Sequence, residues 1–175
     1  RYGSVPAERL ASFADDNAVP AAHAARDEVF YRWRFANPRY ETETYAARRD
    51  GSLVASAIVE TEVDAGTRVT YLSDVLPMDL DETSEAAVSC LLGRIVDDHR
   101  DTDLFAVGGR VLPDEVLTAH GFHANTERPL SLVTEADNFV ARPSTTTDVA
   151  EWVRDGVCLS DPENWAFTFC EHNVG

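Results

Sequence analysis

Between Thr42 and Leu76 the sequence alternates strand-like stretches with two-residue turns, and that pattern leaves few folds open. Asp50-Gly51 is a dipeptide that closes a tight hairpin, because both central positions of such a turn need positive φ. Thr42 to Arg48 precedes it, and Ser52 to Val63, rich in Val, Ala and Ile, follows it. Ala65-Gly66 turns the chain again into Arg68 to Leu76, where Val69, Tyr71 and Ser73 fall on one face. Pro77 removes a ladder donor and closes that strand. The expectation is an antiparallel meander of three strands.

The flanking segments read as helices and shorter strands. Ser84 to Asp98 carries Val88, Leu91, Leu92, Ile95 and Val96 at helical spacing, with Thr83 or Ser84 as cap and Cys90 expected inside. Asp103 to Val107 is a short buried strand stopped by Gly108-Gly109. Pro113 to His120 is a short helix with Gly121 in the C′ place. Beyond it, Phe122 onward, with Leu130, Leu132 and Val133, reads as strand. Upstream, Pro6 opens a helix, and Asp27 caps Glu28 to Phe35, whose Phe30, Trp33 and Phe35 call for one buried face. Residues 143–164 read as loop with a helical turn at Glu151-Trp152-Val153; Trp165, Phe167 and Phe169 alternate as a final strand. The organisation is a lead-in of helices (1–26), a main domain (27–142) and a C-terminal extension (143–175) laid on that domain.

A chain of 175 residues suffices for one core. No apolar run approaches a membrane span, so a membrane partner is not expected. The net charge of −16, from 31 acidic and 15 basic residues, argues against nucleic acid as a partner. All the basic residues are Arg; there is no Lys and no Gln. Such a surface suits a salt-accumulating, haloarchaeal cytoplasm, where a Debye length of about 3 Å screens the carboxylates. The alternative is an acidic protein of a GC-rich mesophile. Cys90, Cys158 and Cys170 are odd in number and lack metal spacing, which fits reduced thiols in the cytoplasm and no metal.

Four local patterns, taken in order, resemble the GNAT superfamily of acyl-CoA N-acyltransferases. They are Tyr31-Arg32-Trp33-Arg34-Phe35 with Asn37-Pro38 and Tyr40, Tyr45 to Ala55 around the first hairpin, Leu72-Ser73-Asp74-Val75-Leu76-Pro77, and Leu117 to Phe122 with its Gly-Phe corner. The resemblance covers about residues 27–136. It implies an α/β (α+β) fold with a mixed, mostly antiparallel sheet of about six strands flanked by helices. One branch of the superfamily carries two such domains in tandem. A chain opening on Arg1 without Met fits the C-terminal half of such a protein, with a companion domain as partner; it equally fits one complete domain.

The resemblance also implies a chemistry: transfer of an acyl group from acetyl-CoA or another acyl-CoA to a small-molecule or peptide amine, without a metal. Ser73, Val75 and Leu76 would offer a backbone edge to the pantetheine. Thr83 and Ser84 would open the helix that receives the pyrophosphate, where free N–H groups and the dipole favour anions. Asp74 stands as catalytic base or acceptor anchor, and His120 as catalytic acid in place of the Tyr that many members carry where Leu117 stands. Glu60 and Glu62, in the preceding strand, are further candidates for the same cleft; the alternative is solvated strand carboxylates. Met78 to Ala87 departs from the superfamily's glycine-rich phosphate loop: it has no Gly and no Arg, and several carboxylates. A degenerate, non-catalytic domain is therefore the alternative.

Overall fold

A computed structural model describes residues 1–128, 130–132 and 152–171. The meander is present. Strands β1 (Glu41–Arg49), β2 (Ser52–Asp64) and β3 (Thr67–Leu76) pair antiparallel through two-residue turns. Asp50 and Gly51 sit at φ 52° and 85°, and Ala65 and Gly66 at 49° and 89°. These are the left-handed pairs that let a two-residue loop follow the strand twist. After helix α3 (Glu82–Asp98) the chain returns as β4 (Leu104–Val107), which pairs parallel to β3. Among the described residues the result is a mixed, mostly antiparallel four-stranded sheet flanked by helices.

Helix α3 covers one face. Val88, Leu91, Leu92 and Ile95 pack on Tyr45, Ala55, Ala57, Val59, Leu72 and Val75. Its opening differs from expectation: the cap is Asp81, one turn earlier than Ser84. The Asp81 carboxylate accepts the Ser84 N–H at 2.7 Å, and Ser84 Oγ accepts the Asp81 N–H at 2.9 Å. Cys90 is exposed, because it lies off the Val88–Leu92–Ile95 stripe. Helix α4 (Asp114–Ala119) ends as expected. The Phe122 N–H reaches Leu117 O and the Gly121 N–H reaches Thr118 O, with Gly121 at φ 84°.

Helices α1 (Ala7–Asp16) and α2 (Glu28–Arg34) cover the opposite face, where Ala7, Leu10, Tyr31, Ile58, Leu76 and Met78 form a second cluster. Asp27 caps α2 by accepting the Phe30 N–H at 2.7 Å. Tyr31 is the fully buried aromatic of this helix, whereas Trp33 is 74% exposed. Beyond α4, Leu130–Leu132 is a 3₁₀ turn rather than strand. Val133 and Glu151 lie outside the described residues. Trp152-Val153 is not helical: β5 (Val153–Arg154) and β6 (Val157–Cys158) form a hairpin on Asp155-Gly156. Trp165 to Thr168 joins no ladder among the described residues; it makes single bridges, Ala22 to Trp165 and Gly109 to Thr168, before a 3₁₀ turn at Phe169–Glu171.

Candidate functional site

Two irregularities shape the end of β3. The β3–β4 ladder stops at Leu72↔Val107, so Ser73–Leu76 run on past β4. The β2–β3 register shifts between Ile58↔Asp74 and Val59↔Leu72, leaving Ser73 as the extra residue of a bulge. A bulge re-aims side chains locally. Leu72 and Val75 face α3, while Asp74 joins Tyr31 on the α2 side.

Asp74 is 1% exposed and stands at the centre of a buried polar cluster. Arg26 Nε and Nη2 donate to its Oδ1 at 3.1 and 3.0 Å, Thr168 Oγ1 donates there at 3.1 Å, and Tyr31 Oη donates to Oδ2 at 3.0 Å. Arg26 also pairs with Glu171 at 2.7 Å. Burial works against the Arg26 charge, but Asp74 and its neighbours outweigh burial and hold the guanidinium above its ordinary value. Burial, then Asp74, pushes the Tyr31 hydroxyl and the Cys170 thiol well up, so both stay protonated. Burial works to raise Glu171; the Arg26 charge, together with hydrogen bonds from the Thr168 N–H, Arg26 and the Cys170 thiol, outweighs it and holds the carboxyl below the usual range.

Alongside lie two more Arg–carboxylate pairs, Arg34–Glu60 at 3.2 Å and Arg39–Glu62 at 2.5 Å. Burial raises Glu60 above the usual carboxylate range, against Ser73 and Arg34, which lower it. Glu62 also accepts from Tyr71 Oη at 3.0 Å. Glu60 and Glu62 are thus buried, paired residues of the α2 face, not solvated strand carboxylates.

His120 is elsewhere. Its Nε2 lies 2.9 Å from Ser89 Oγ on α3, and its ring packs against Gly93. The sheet separates it from Asp74, so the structure does not bring the two proposed catalytic residues together. Ser73, Val75 and Leu76 do line the strand edge beyond β4, and all three are buried.

At the end of β3 a cleft of about 320 Å³ is bounded by Phe13 and Asn17 of α1, Leu53 and Val54 of β2, and Pro77, Asp79, Leu80, Asp81, Thr83 and Ser84. It is where a ligand would meet the start of α3. The Ser84 N–H is already bonded to Asp81, whose carboxyl is lowered chiefly by that bond. Asp79 adds a second carboxylate to the wall. This end does not fit a pyrophosphate: one first-turn donor is taken and the nearby charge has the wrong sign. Among the described residues no group of three or more His, Cys, Asp or Glu could hold a metal, and no helix is long and apolar enough to cross a membrane.

Sequence reasoning placed Asp74 on the strand and missed its partners Arg26 and Thr168, and Glu171, which pairs with the same Arg26. They come from positions 48 residues before it and 94 and 97 after it, and no spacing rule links them. Asp81 was legible, since Asp is a preferred cap three residues before Ser84.

No family model matches the chain, and no curated protein does. Among solved structures, a probable acetyltransferase superposes at TM-score 0.49 with 15% identity, over 80% of this chain and 91% of its own. The ribosomal-protein-alanine N-acetyltransferase of Brucella melitensis biovar Abortus 2308 superposes at TM-score 0.39 with 15% identity, over 77% of this chain and 89% of its own. At that overlap neither decides this chain's chemistry.

Proposed function

We propose that the chain is a GNAT-like acyltransferase domain, of the kind that moves an acyl group from acyl-CoA to an amine. One observation carries the reading: parallel β3 and β4 pair as far as Leu72↔Val107 and no further, leaving the backbone of Ser73–Leu76 beyond β4, with α3 opening just past its end. An extended edge of this kind takes an added strand-like ligand through main-chain hydrogen bonds. The amine acceptor would approach from the α2 side, where Asp74 lies.

The acid-capped start of α3 favours a second reading: a domain without catalysis of its own, serving a companion domain in a tandem protein. No step through coenzyme A is assigned here, because the phosphate end does not fit it. Titration of acetyl-CoA by calorimetry at about 0.2 and 2 M KCl separates the two, since salt screens the exposed carboxylates but leaves the occupied Ser84 N–H unchanged. Micromolar binding supports the acyltransferase reading and defeats the second. Absence of binding at both salts leaves the companion-domain reading. The all-Arg, −16 surface further points to a salt-rich cytoplasm; a melting temperature that fails to rise between about 0.1 and 3 M KCl would remove that origin.

A further inference from the structure

We propose that the outer face of α2 is a docking surface for a second copy of this chain, which lays its own α2 antiparallel on it. Phe30 and Tyr31 turn to the core, while Val29 and Trp33 stand 73% and 74% exposed. Val29 and Trp33 are one turn apart, so they form a single apolar row. Beside it runs a second row of the same length, Glu28 and Arg32, which pair with each other; the Arg32 side chain is 71% exposed. A large aromatic beside an arginine is a combination enriched in protein interfaces relative to the rest of the surface.

The order of residues in the two rows selects the occupant. A two-fold axis across the helix turns each row end for end and sets it against itself. Glu28 then meets Arg32 of the second copy, and Val29 meets Trp33 of the second copy, in both directions. A parallel approach would instead set the charged row on the apolar row. Such self-complementarity is what a two-fold interface requires. Charge points the same way. The chain carries −16, so most of its surface repels another copy, whereas Glu28 and Arg32 cancel along this row. One short helix face is a small interface, so the dimer is weak, with a dissociation constant of about 10–100 µM. This inference is independent of acyl transfer.

Sedimentation velocity on the intact chain provides the test, between about 5 and 500 µM in about 1 M KCl, where a Debye length of about 3 Å screens distant carboxylates but not groups in contact. The chain should pass from monomer to dimer over that range. Arg32→Glu brings only carboxylates together across the two-fold, and Glu28→Arg only guanidiniums, so each variant alone should dimerise at least about tenfold more weakly. Mixed in equal amounts, the two should form a heterodimer within about threefold of the wild-type affinity, because every charge again meets its opposite. Trp33→Ala, which alters no charge, should weaken association by about tenfold or more. The melting transition of each variant is recorded alongside. A chain that stays monomeric to about 500 µM would give this face to a different protein or to another part of the same chain. A dimer that survives both charge reversals or the loss of Trp33 would place the interface elsewhere, and folded charge variants that fail to recombine would reject the antiparallel pairing. Each of these results overturns the proposal.

Discussion

On the α3 side of the sheet, Val59, Leu72 and Val75 meet Val88, Leu92 and Ile95, and the contacts are apolar. On the α2 side the same strands present Glu60, Glu62 and Asp74, and three arginines come down to meet them. Both faces are buried, yet they constrain the molecule differently. Apolar packing gains with every buried methylene and tolerates exchange of similar shapes. Buried ion pairs return little net stability, because desolvation offsets attraction, but losing one partner strands the other. The α3 face therefore supplies stability, and the α2 face fixes which segment lies where.

The largest expected effect falls on the apolar face. Leu92, 1% exposed, should not tolerate a charge: Leu92→Asp should cost more than about 4 kcal/mol and leave little folded protein by circular dichroism. A normally melting variant would mean that α3 does not pack on the sheet. Next comes the polar face. Arg26→Met strands Asp74 and Glu171 and should lower stability by about 3–5 kcal/mol in urea titrations. Adding Asp74→Leu and Glu171→Gln should recover more than half of that loss. If the triple variant is no better than the single, the cluster contributes net stability and the contrast between the faces collapses.

Acid should separate the faces further. Glu171 has a depressed carboxyl in the folded state, so its contribution is present above the ordinary Glu range and is lost as pH falls through the depressed value. The groups facing it are Arg26, Cys170 and Thr168, with Asp74 across Arg26. Asp81 and Asp98, also lowered, act with the same sign. Glu60 is raised, so its protonation favours the folded state as pH falls, and that gain is lost as pH rises through its folded value. Melting temperature should rise slightly as pH drops from 7 towards the upper carboxylate range, then fall steeply below about pH 4. Glu60→Gln should flatten the first limb; an unaltered rise would assign it to another group. The smallest effect is local to the cap. Asp81→Ala should cost about 1 kcal/mol and leave the α2 face unchanged, read as a shift of a few degrees in melting temperature. A much larger loss would tie the start of α3 to the polar cluster.

The same short-range chemistry was legible in some places and missed in others. Asp155-Gly156 is the same signal as Asp50-Gly51, yet the hairpin it closes reads poorly from sequence because its strands are two residues each. Trp165, Phe167 and Phe169 alternate as a strand should, but Arg26 and Arg34 bind the segment through Glu171 and carbonyl oxygens, and among the described residues it enters no ladder. Tyr31 and Trp33 sit in the same dense aromatic run, and only their placement on α2 tells the buried residue from the exposed one.

The sequence by itself determined the turns, the strand order of the meander, the stripe of α3 and the Gly121 helix end. Each depends on backbone preferences or periodicity within a few residues, which any stretch of chain carries with it. Only the tertiary structure decided that Asp74 is enclosed by Arg26, Tyr31 and Thr168, that His120 lies across the sheet from it, and that the C-terminal segment fills the gap beyond β4. Those facts depend on contacts between residues tens of positions apart, and a buried charge selects its partner by position in space rather than by spacing along the chain.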